Sequence, residues 1–259
     1  MNNQQKNERS RQSDAATGCM DDVNYVVSLS GGKDSTAMLH WMIERGEKIH
    51  SVVFFDTGWE FPAMAAHIEL VEQKTGLKVV RLTPPKPFSY WMFNREVVAR
   101  KGPMKGRVAR IGNGWPSPMR RWCTREKVAT INRYMKTVEN GVSCVGIAAD
   151  ERHREKEQRY PLIEYNKTEA DCLNYCKELG YHWGGLYDIF NRVSCYCCPL
   201  QKIGDLRKLR RHYPELWETM MQWDMLMPSN RGFRDYDTVI DLECRFTQED
   251  KQMNLWAAV

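Results

Sequence analysis

Six consecutive residues, Ser30, Gly31, Gly32, Lys33, Asp34 and Ser35, carry the densest chemistry in the chain. They follow a short apolar run that ends in Ser28-Leu29-Ser30, and they precede Thr36, Met38, Leu39, Met42 and Ile43 at helical spacing. The run therefore joins a buried strand to a helix. A helix N-terminus offers unpaired backbone N–H groups and the positive end of its dipole, and the pair binds phosphate. Two glycines let the backbone approach an anion, Lys33 adds a mobile positive charge, and Ser28, Ser30 and Ser35 add hydroxyls. Asp34 either orients a magnesium-bound water or caps the helix. The spacing differs from a Walker A loop, which places four residues between its first glycine and Gly-Lys.

A second constellation lies late in the chain. Cys195, Cys197 and Cys198, just before Pro199, hold both a C-x-x-C and an adjacent pair. Thiolates so spaced chelate zinc or an iron-sulfur cluster in a reducing compartment. The metal-free alternative is a set of buried thiols or a redox disulfide. Cys172 and Cys176 stand one helical turn apart and read as ordinary helix positions, while Cys19, Cys144 and Cys244 show no partner pattern.

The elements that position these groups follow from periodicity. Residues 24–29, 49–55, 77–82 and 142–148 read as strands, and residues 36–43, 62–74 and 124–136 as helices between them. Alternation of this kind predicts an α/β fold with a parallel sheet. Asp56, Thr57, Gly58 and Glu60 then follow the second strand, where Asp56 or Glu60 is placed to hold magnesium or a ribose hydroxyl. Asp150 and Arg154, in a charged turn after the fourth strand, face the same crevice and are the expected catalytic partners of Lys33 and Asp34. Residues 84–120 lose periodicity and read as an irregular insertion. From residue 166 to 259 the pattern is mainly helical, with Thr168 as a helix cap and Pro214 inside an apolar helical stretch.

Composition narrows the class. With 42% hydrophobic and 27% charged residues in 259, a sizeable core is expected. No apolar run approaches the ~18 residues needed to span a bilayer. Residues 1–22 lack the apolar stretch of a secretory signal and read as a disordered tail, so a cytoplasmic location is expected. The net charge of +5 conceals a local bias, since residues 81–127 hold twelve Lys or Arg against Glu96 and Glu126. Such asymmetry favours an anionic partner.

These motifs resemble a known family. Ser30 to Ser35 resembles the pyrophosphatase loop of the adenine nucleotide alpha hydrolase superfamily. Further resemblance, to the phosphoadenosine phosphosulfate reductase-like family, is carried in order by several runs: Phe55 to Gly58 with Glu60; Arg121-Trp122-Cys123-Thr124 with Lys127; Gly146-Ile147 with Asp150, Glu151 and Arg154; Tyr160-Pro161-Leu162; and the run Cys195 to Pro199. The resemblance implies a five-stranded parallel sheet between helices, with residues 23–165 binding the nucleotide at the carboxyl ends of the strands. It also implies nucleotide contacts at Arg121, Lys127 and Gly146, and makes Cys123 the third metal ligand beside Cys195 and Cys198, with Cys197 a candidate fourth.

Two chemistries fit this family. In one, ATP and magnesium bind at the loop, an acceptor is adenylated with release of pyrophosphate, and a sulfur donor protein then supplies sulfur. The acceptor in that case could be tRNA or DNA. In the other, a thiolate reduces a sulfonucleotide to sulfite. The family's reductases resemble one another in a C-terminal Glu-Cys-Gly-x-His segment, whereas here Glu243-Cys244 is followed by Arg245-Phe246, and the loop retains Lys33-Asp34. Those departures favour ATP. A non-catalytic reading remains, in which the basic insertion tracks a nucleic-acid backbone and Trp91, Phe93 and Trp115 stack on bases.

Overall fold

A computed structural model describes residues 23–228, 232–234 and 236–257. The tail expected at residues 1–22 lies outside the described residues, as does Cys19. The chain begins with β1 (Asn24–Ser28), α1 (Lys33–Glu44), β2 (Ile49–Phe55), α2 (Ala63–Thr75) and β3 (Val79–Leu82). After the insertion come α3 (Trp122–Met135) and a further sheet strand, Gly141–Val145. The insertion itself holds β4 (Glu96–Val98) and β5 (Val108–Ile111), so the Gly141–Val145 strand is β6. The main sheet runs β3-β2-β1-β6, and every pairing in it is parallel.

Burial explains the apolar strand runs. Val26, Val27 and Val52 to Phe55 are buried because helices cover both faces, which removes the in-out alternation of a half-exposed sheet. On α1, Met38, Leu39 and Met42 are fully buried, and α2 turns Met64, Ile68 and Val71 inward. Connections leave β1 for β2 on one side, while β6 lies on the other. The loops after β1 and β6 therefore flank the point where strand order reverses, where open α/β sheets hold ligands.

Among the described residues the sheet has four parallel strands, not the five expected. The missing strand is reduced to one rung at Arg159, whose N–H reaches the Ser143 carbonyl at 3.1 Å and whose carbonyl accepts from the Val145 N–H at 3.0 Å. Pro161 lacks an N–H for a further rung and opens the short helix α4 (Pro161–Glu164).

The insertion is more ordered than its lost periodicity suggested. A π-helical turn at Tyr90–Asn94 leads into an antiparallel hairpin of β4 and β5, whose strands are too short to show alternation. Trp115 is 2% exposed and donates through Nε1 to Asp224 Oδ1 at 2.8 Å. It anchors the insertion in the core and is unavailable for stacking on a base.

The C-terminal part is helical as expected: α5 (Glu169–Glu178), α6 (Leu186–Ile189), α7 (Ile203–His212), α8 (Pro214–Leu226) and α9 (Val239–Ala257). Thr168 caps α5 through a reciprocal capping box with Asp171. The long stretch divides at Pro214 into α7 and α8. Trp217, Met220, Leu242 and Phe246 belong to the same apolar cluster as the sheet and its helices, so one core unites the two regions. Among the described residues no helix is long and apolar enough to cross a membrane.

Candidate functional site

Gly31 turns the chain at the end of β1 with φ of 80°, and a Cβ there would stand 2.5 Å from Met64 Cε. The positive φ favours glycine, and any side chain there would also have to displace the Met64 methyl. Gly32 follows as the residue before α1, and the Thr36 N–H bonds its carbonyl at 3.1 Å. Ser35 braces the turn from within: its hydroxyl lies 2.9 Å from the Ser30 hydroxyl and accepts from the Ser30 N–H at 3.0 Å. Ser28 ends β1 beneath it, half-buried. Outside bracing comes from the α6 region, where Trp183 Nε1 donates to the Gly31 carbonyl and the Tyr187 hydroxyl accepts from the Lys33 N–H, both at 2.8 Å. Gly146 abuts the loop from the β6 side, since a Cβ there would lie 2.9 Å from Ser35 Cα.

Lys33 is fixed where a mobile charge was expected. Its side chain is 7% exposed, and two of its ammonium N–H groups go to Asp34 Oδ1 and Glu169 Oε2, each at 2.8 Å. Burial opposes its charge, but Asp34 and Glu169 outweigh that and hold its pKa above the ordinary range. Burial also raises the Asp34 carboxyl; Lys33 opposes the rise, and Glu169 and Glu151 add to it.

Glu169 escaped the sequence reading. An acidic residue after a Thr cap looks like ordinary helix capping, and only the packing of α5 on α1 brings it to Lys33. Asp150 joins the same group, its Oδ1 accepting the Glu169 N–H at 3.1 Å. Arg154 pairs with Glu151 on the same turn.

The loop after β2 forms the other half. Asp56 Oδ1 accepts the Gly58 N–H at 2.8 Å, and Glu60 accepts the Thr57 hydroxyl at 2.6 Å. Glu60 faces a cysteine: Cys195 Sγ lies 4.0 Å from its Oε1 and 3.5 Å from Thr57 Oγ1. Burial pushes the Glu60 carboxyl up. Burial and the Glu60 charge push the Cys195 thiol up to about 12, while Lys127 pulls it down.

Cys198 is raised chiefly by burial and is near enough to Cys123, Arg192 and Arg121 to feel their charges. Cys123, Cys195 and Cys198 are half-buried, whereas Cys197 is 2% exposed in the core. Among the described residues, no three His, Cys, Asp or Glu side chains stand in a metal-holding group. The two halves meet where a Cβ on Gly32 would lie 3.9 Å from the Val193 carbonyl, two residues before Cys195.

A buried imidazole supports the loop from below. His67 Nε2 lies 3.0 Å from Thr36 Oγ1, and its ring stacks on Trp183 at 4.7 Å between centroids. Burial lowers its pKa to about 4, below its unfolded value near 6.5. The folded state thus favours the neutral ring, and the stability it contributes is complete above pH 6.5 and lost as pH falls toward 4. About 3 kcal/mol is at stake across that window. Denaturant titrations should show His67→Gln with a lower neutral-pH stability but a flatter decline between pH 6.5 and 4; an unchanged acid slope would contradict this origin.

A parallel sheet with a glycine turn and helix N-terminus after its first strand defines an α/β protein with a candidate anion site at the end of β1. The profile of the phosphoadenosine phosphosulfate reductase domain matches residues 24–203, and the chain belongs to that family. Two uncharacterized proteins of Methanocaldococcus jannaschii are similar to it. One is 26% identical over 225 residues, covering 78% of this chain and 41% of the relative. The other is 25% identical over 215 residues, covering 75% and 46%. The chain thus spans less than half the length of these relatives. Among solved structures, it is similar to the U34-tRNA thiolase NcsA from Methanococcus maripaludis with its 4Fe-4S cluster. That match has 14% identity, a TM-score of 0.41, and coverage of 79% of this chain and 72% of the other.

Proposed function

We propose that this family member binds ATP along the loop after β1 and adenylates an acceptor, releasing pyrophosphate, as the first half of a sulfur transfer. The observation that carries the reading is the Lys33 ammonium at the head of α1. An ammonium has three N–H groups; Asp34 and Glu169 take two, and the third is available to a phosphoryl oxygen. Gly31 and Gly32 bring the backbone close, and the α1 dipole adds to the attraction. As the acceptor oxygen bonds to the α-phosphorus, the bond to the bridging oxygen breaks and pyrophosphate takes the electron pair. Lys33 stabilises that growing charge. In this reading Asp150, whose Oδ1 accepts the Glu169 N–H beside Lys33, takes the acceptor proton, and Arg154 on the same turn steadies the phosphate. A sulfur nucleophile at the sulfide level then displaces AMP.

Two bound groups match the donor chemistry of these residues, although their side chains do not stand together in a metal-holding group among the described residues. Asp34 and Glu169 supply hard oxygens for a magnesium ion, which would neutralise phosphoryl charge when bound. Cys123, Cys195 and Cys198 supply soft thiols for an iron-sulfur cluster or zinc, with Arg121, Lys127 and Arg192 to offset thiolate charge. Such a cluster, when bound, would supply soft-metal coordination for sulfur.

The rival, reduction of a sulfonucleotide, requires an activated thiolate. Burial instead pushes the Cys144, Cys172, Cys176, Cys195, Cys197 and Cys198 thiols up. Anaerobic incubation with α-labelled ATP, with and without added tRNA or DNA, should yield AMP or an adenylated product together with pyrophosphate. Sulfite from a sulfonucleotide, without ATP turnover, would establish the rival; ATP binding without turnover would support the non-catalytic reading.

A further inference from the structure

The hairpin of β4 and β5 stands apart from the chemistry described above. Every residue from Arg100 to Ala109 is exposed, so the ribbon's outer half is solvated on both faces. A two-stranded hairpin is marginal in water unless something holds it. Here its base and its tip are both held.

At the base, Gly112 N–H donates to the Arg95 carbonyl at 2.8 Å, Asn113 N–H to Trp91 at 3.0 Å and Gly114 N–H to Met92 at 3.1 Å. A Cβ on Gly112 would meet the Met92 carbonyl at 2.4 Å. At the tip, the Ala99 N–H donates to the Arg107 carbonyl and the Gly106 N–H to the Ala99 carbonyl, both at 2.9 Å. The arm is therefore preorganised without a partner.

Its surface has two components. Arg100, Lys101, Lys105 and Arg107 crowd the tip, and none of the four forms an ion pair among the described residues. On the face shared by paired positions, Val98 is 47% exposed, Val108 42% and Ile111 38%, with the exposed Glu96 opposite Ile111 at the base. Cations flanking a short β-branched stripe match an anionic polymer with apolar features inside its groove.

We infer that the β4–β5 ribbon is an arm that enters the major groove of duplex DNA, with Arg100, Lys101, Lys105 and Arg107 on the phosphates and Val98, Val108 and Ile111 against the base edges. Geometry selects the duplex. A two-stranded ribbon fits the B-form major groove, about 12 Å wide, whereas the A-form major groove of RNA is too narrow and deep for side chains to read. Single strands are gripped by exposed aromatic platforms, whereas here Trp115 is buried, Arg95 lies over the Trp91 ring at 4.7 Å and Phe93 packs edge-on against Trp223 at 6.4 Å. Thymine methyl groups in the major groove suit Val and Ile contacts. At the arm's base, the Gly114 carbonyl accepts from Trp122 Nε1 at 3.1 Å, one residue before Cys123.

This inference rests on the proposed function for its consequence, naming duplex DNA as the acceptor class, but its test needs neither ATP nor metal. Fluorescence anisotropy of the full chain should be measured with a 24-base-pair DNA duplex, its single strand and the matching RNA duplex, across a salt series. The DNA duplex should bind tightest. Arg100→Ser/Lys101→Ser/Lys105→Ser/Arg107→Ser should weaken it about 50-fold or more at 0.1 M salt and lower the salt slope by about 3 to 4. Val98→Ser/Val108→Ser should reduce the preference for DNA duplex over RNA duplex while leaving the slope unchanged. Both variants should keep wild-type melting curves and ATP affinity. Equal binding to all three polymers, no binding to any, preference for the single strand or for RNA, or an unaffected quadruple variant would each overturn the inference. Loss of ATP turnover in wild-type protein would instead count against the proposed reaction alone.

Discussion

Lys33→Met should lower pyrophosphate release at saturating ATP by about a hundredfold to a thousandfold, the range seen when one group aimed at developing transition-state charge is removed. The substitution also leaves Asp34 and Glu169 facing each other without the ammonium that each bonds at 2.8 Å. Their side chains are 26% and 41% exposed, so water screens part of the repulsion and the stability cost should be about 1 to 3 kcal/mol. The double variant Lys33→Met/Glu169→Gln separates the effects. Removing the surplus carboxylate should restore most of the melting temperature and none of the turnover. Recovery of pyrophosphate release in the double variant would show that Lys33 serves only to neutralise its neighbours.

Cysteine substitutions should divide in two. Cys123→Ser, Cys195→Ser and Cys198→Ser should each remove most of the iron and sulfide, or the zinc, from protein purified without oxygen. All three thiols are half-buried, with Lys127 near Cys195 and Arg121 and Arg192 near Cys198. Cys197→Ser should keep the metal and lose stability instead, by about 1 to 3 kcal/mol, because it places a hydroxyl where a 2% exposed thiol packs in the core. Elemental analysis beside thermal melts decides the matter. Full metal content in the Cys195 and Cys198 variants would remove the cluster from the site, and metal loss confined to Cys197→Ser would make that residue a ligand.

Local chemistry was readable wherever neighbours in sequence determine conformation. The phosphate loop needs a strand, two glycines and a helix start, all within residues 24–44, and β2 appears with its expected bounds at Ile49–Phe55. Thr168 caps α5 because Asp171 lies three residues on. Long-range pairing was less readable. Glu169 reaches Lys33 only because α5 packs on α1, and nothing in the acidic start of a helix specifies that partner. Glu60 faces Cys195 across 135 residues of chain. The fifth strand was expected from family likeness, yet Pro161 follows Arg159 too closely for the ladder to grow. In the insertion, three- and four-residue strands fall below the length at which alternation can be recognised.

That stunted fifth strand has a consequence for solubility. An open sheet margin with unpaired N–H and C=O groups invites the same margin of another molecule, and chains so joined can grow into fibrils. Here Arg159 occupies the vulnerable rungs of β6, and its guanidinium, clamped by Glu47 and Glu164, fixes a charged barrier at the boundary. A neighbouring copy that tried to dock there would have to displace an ion cluster before forming its first rung, so the sheet is terminated chemically as well as sterically.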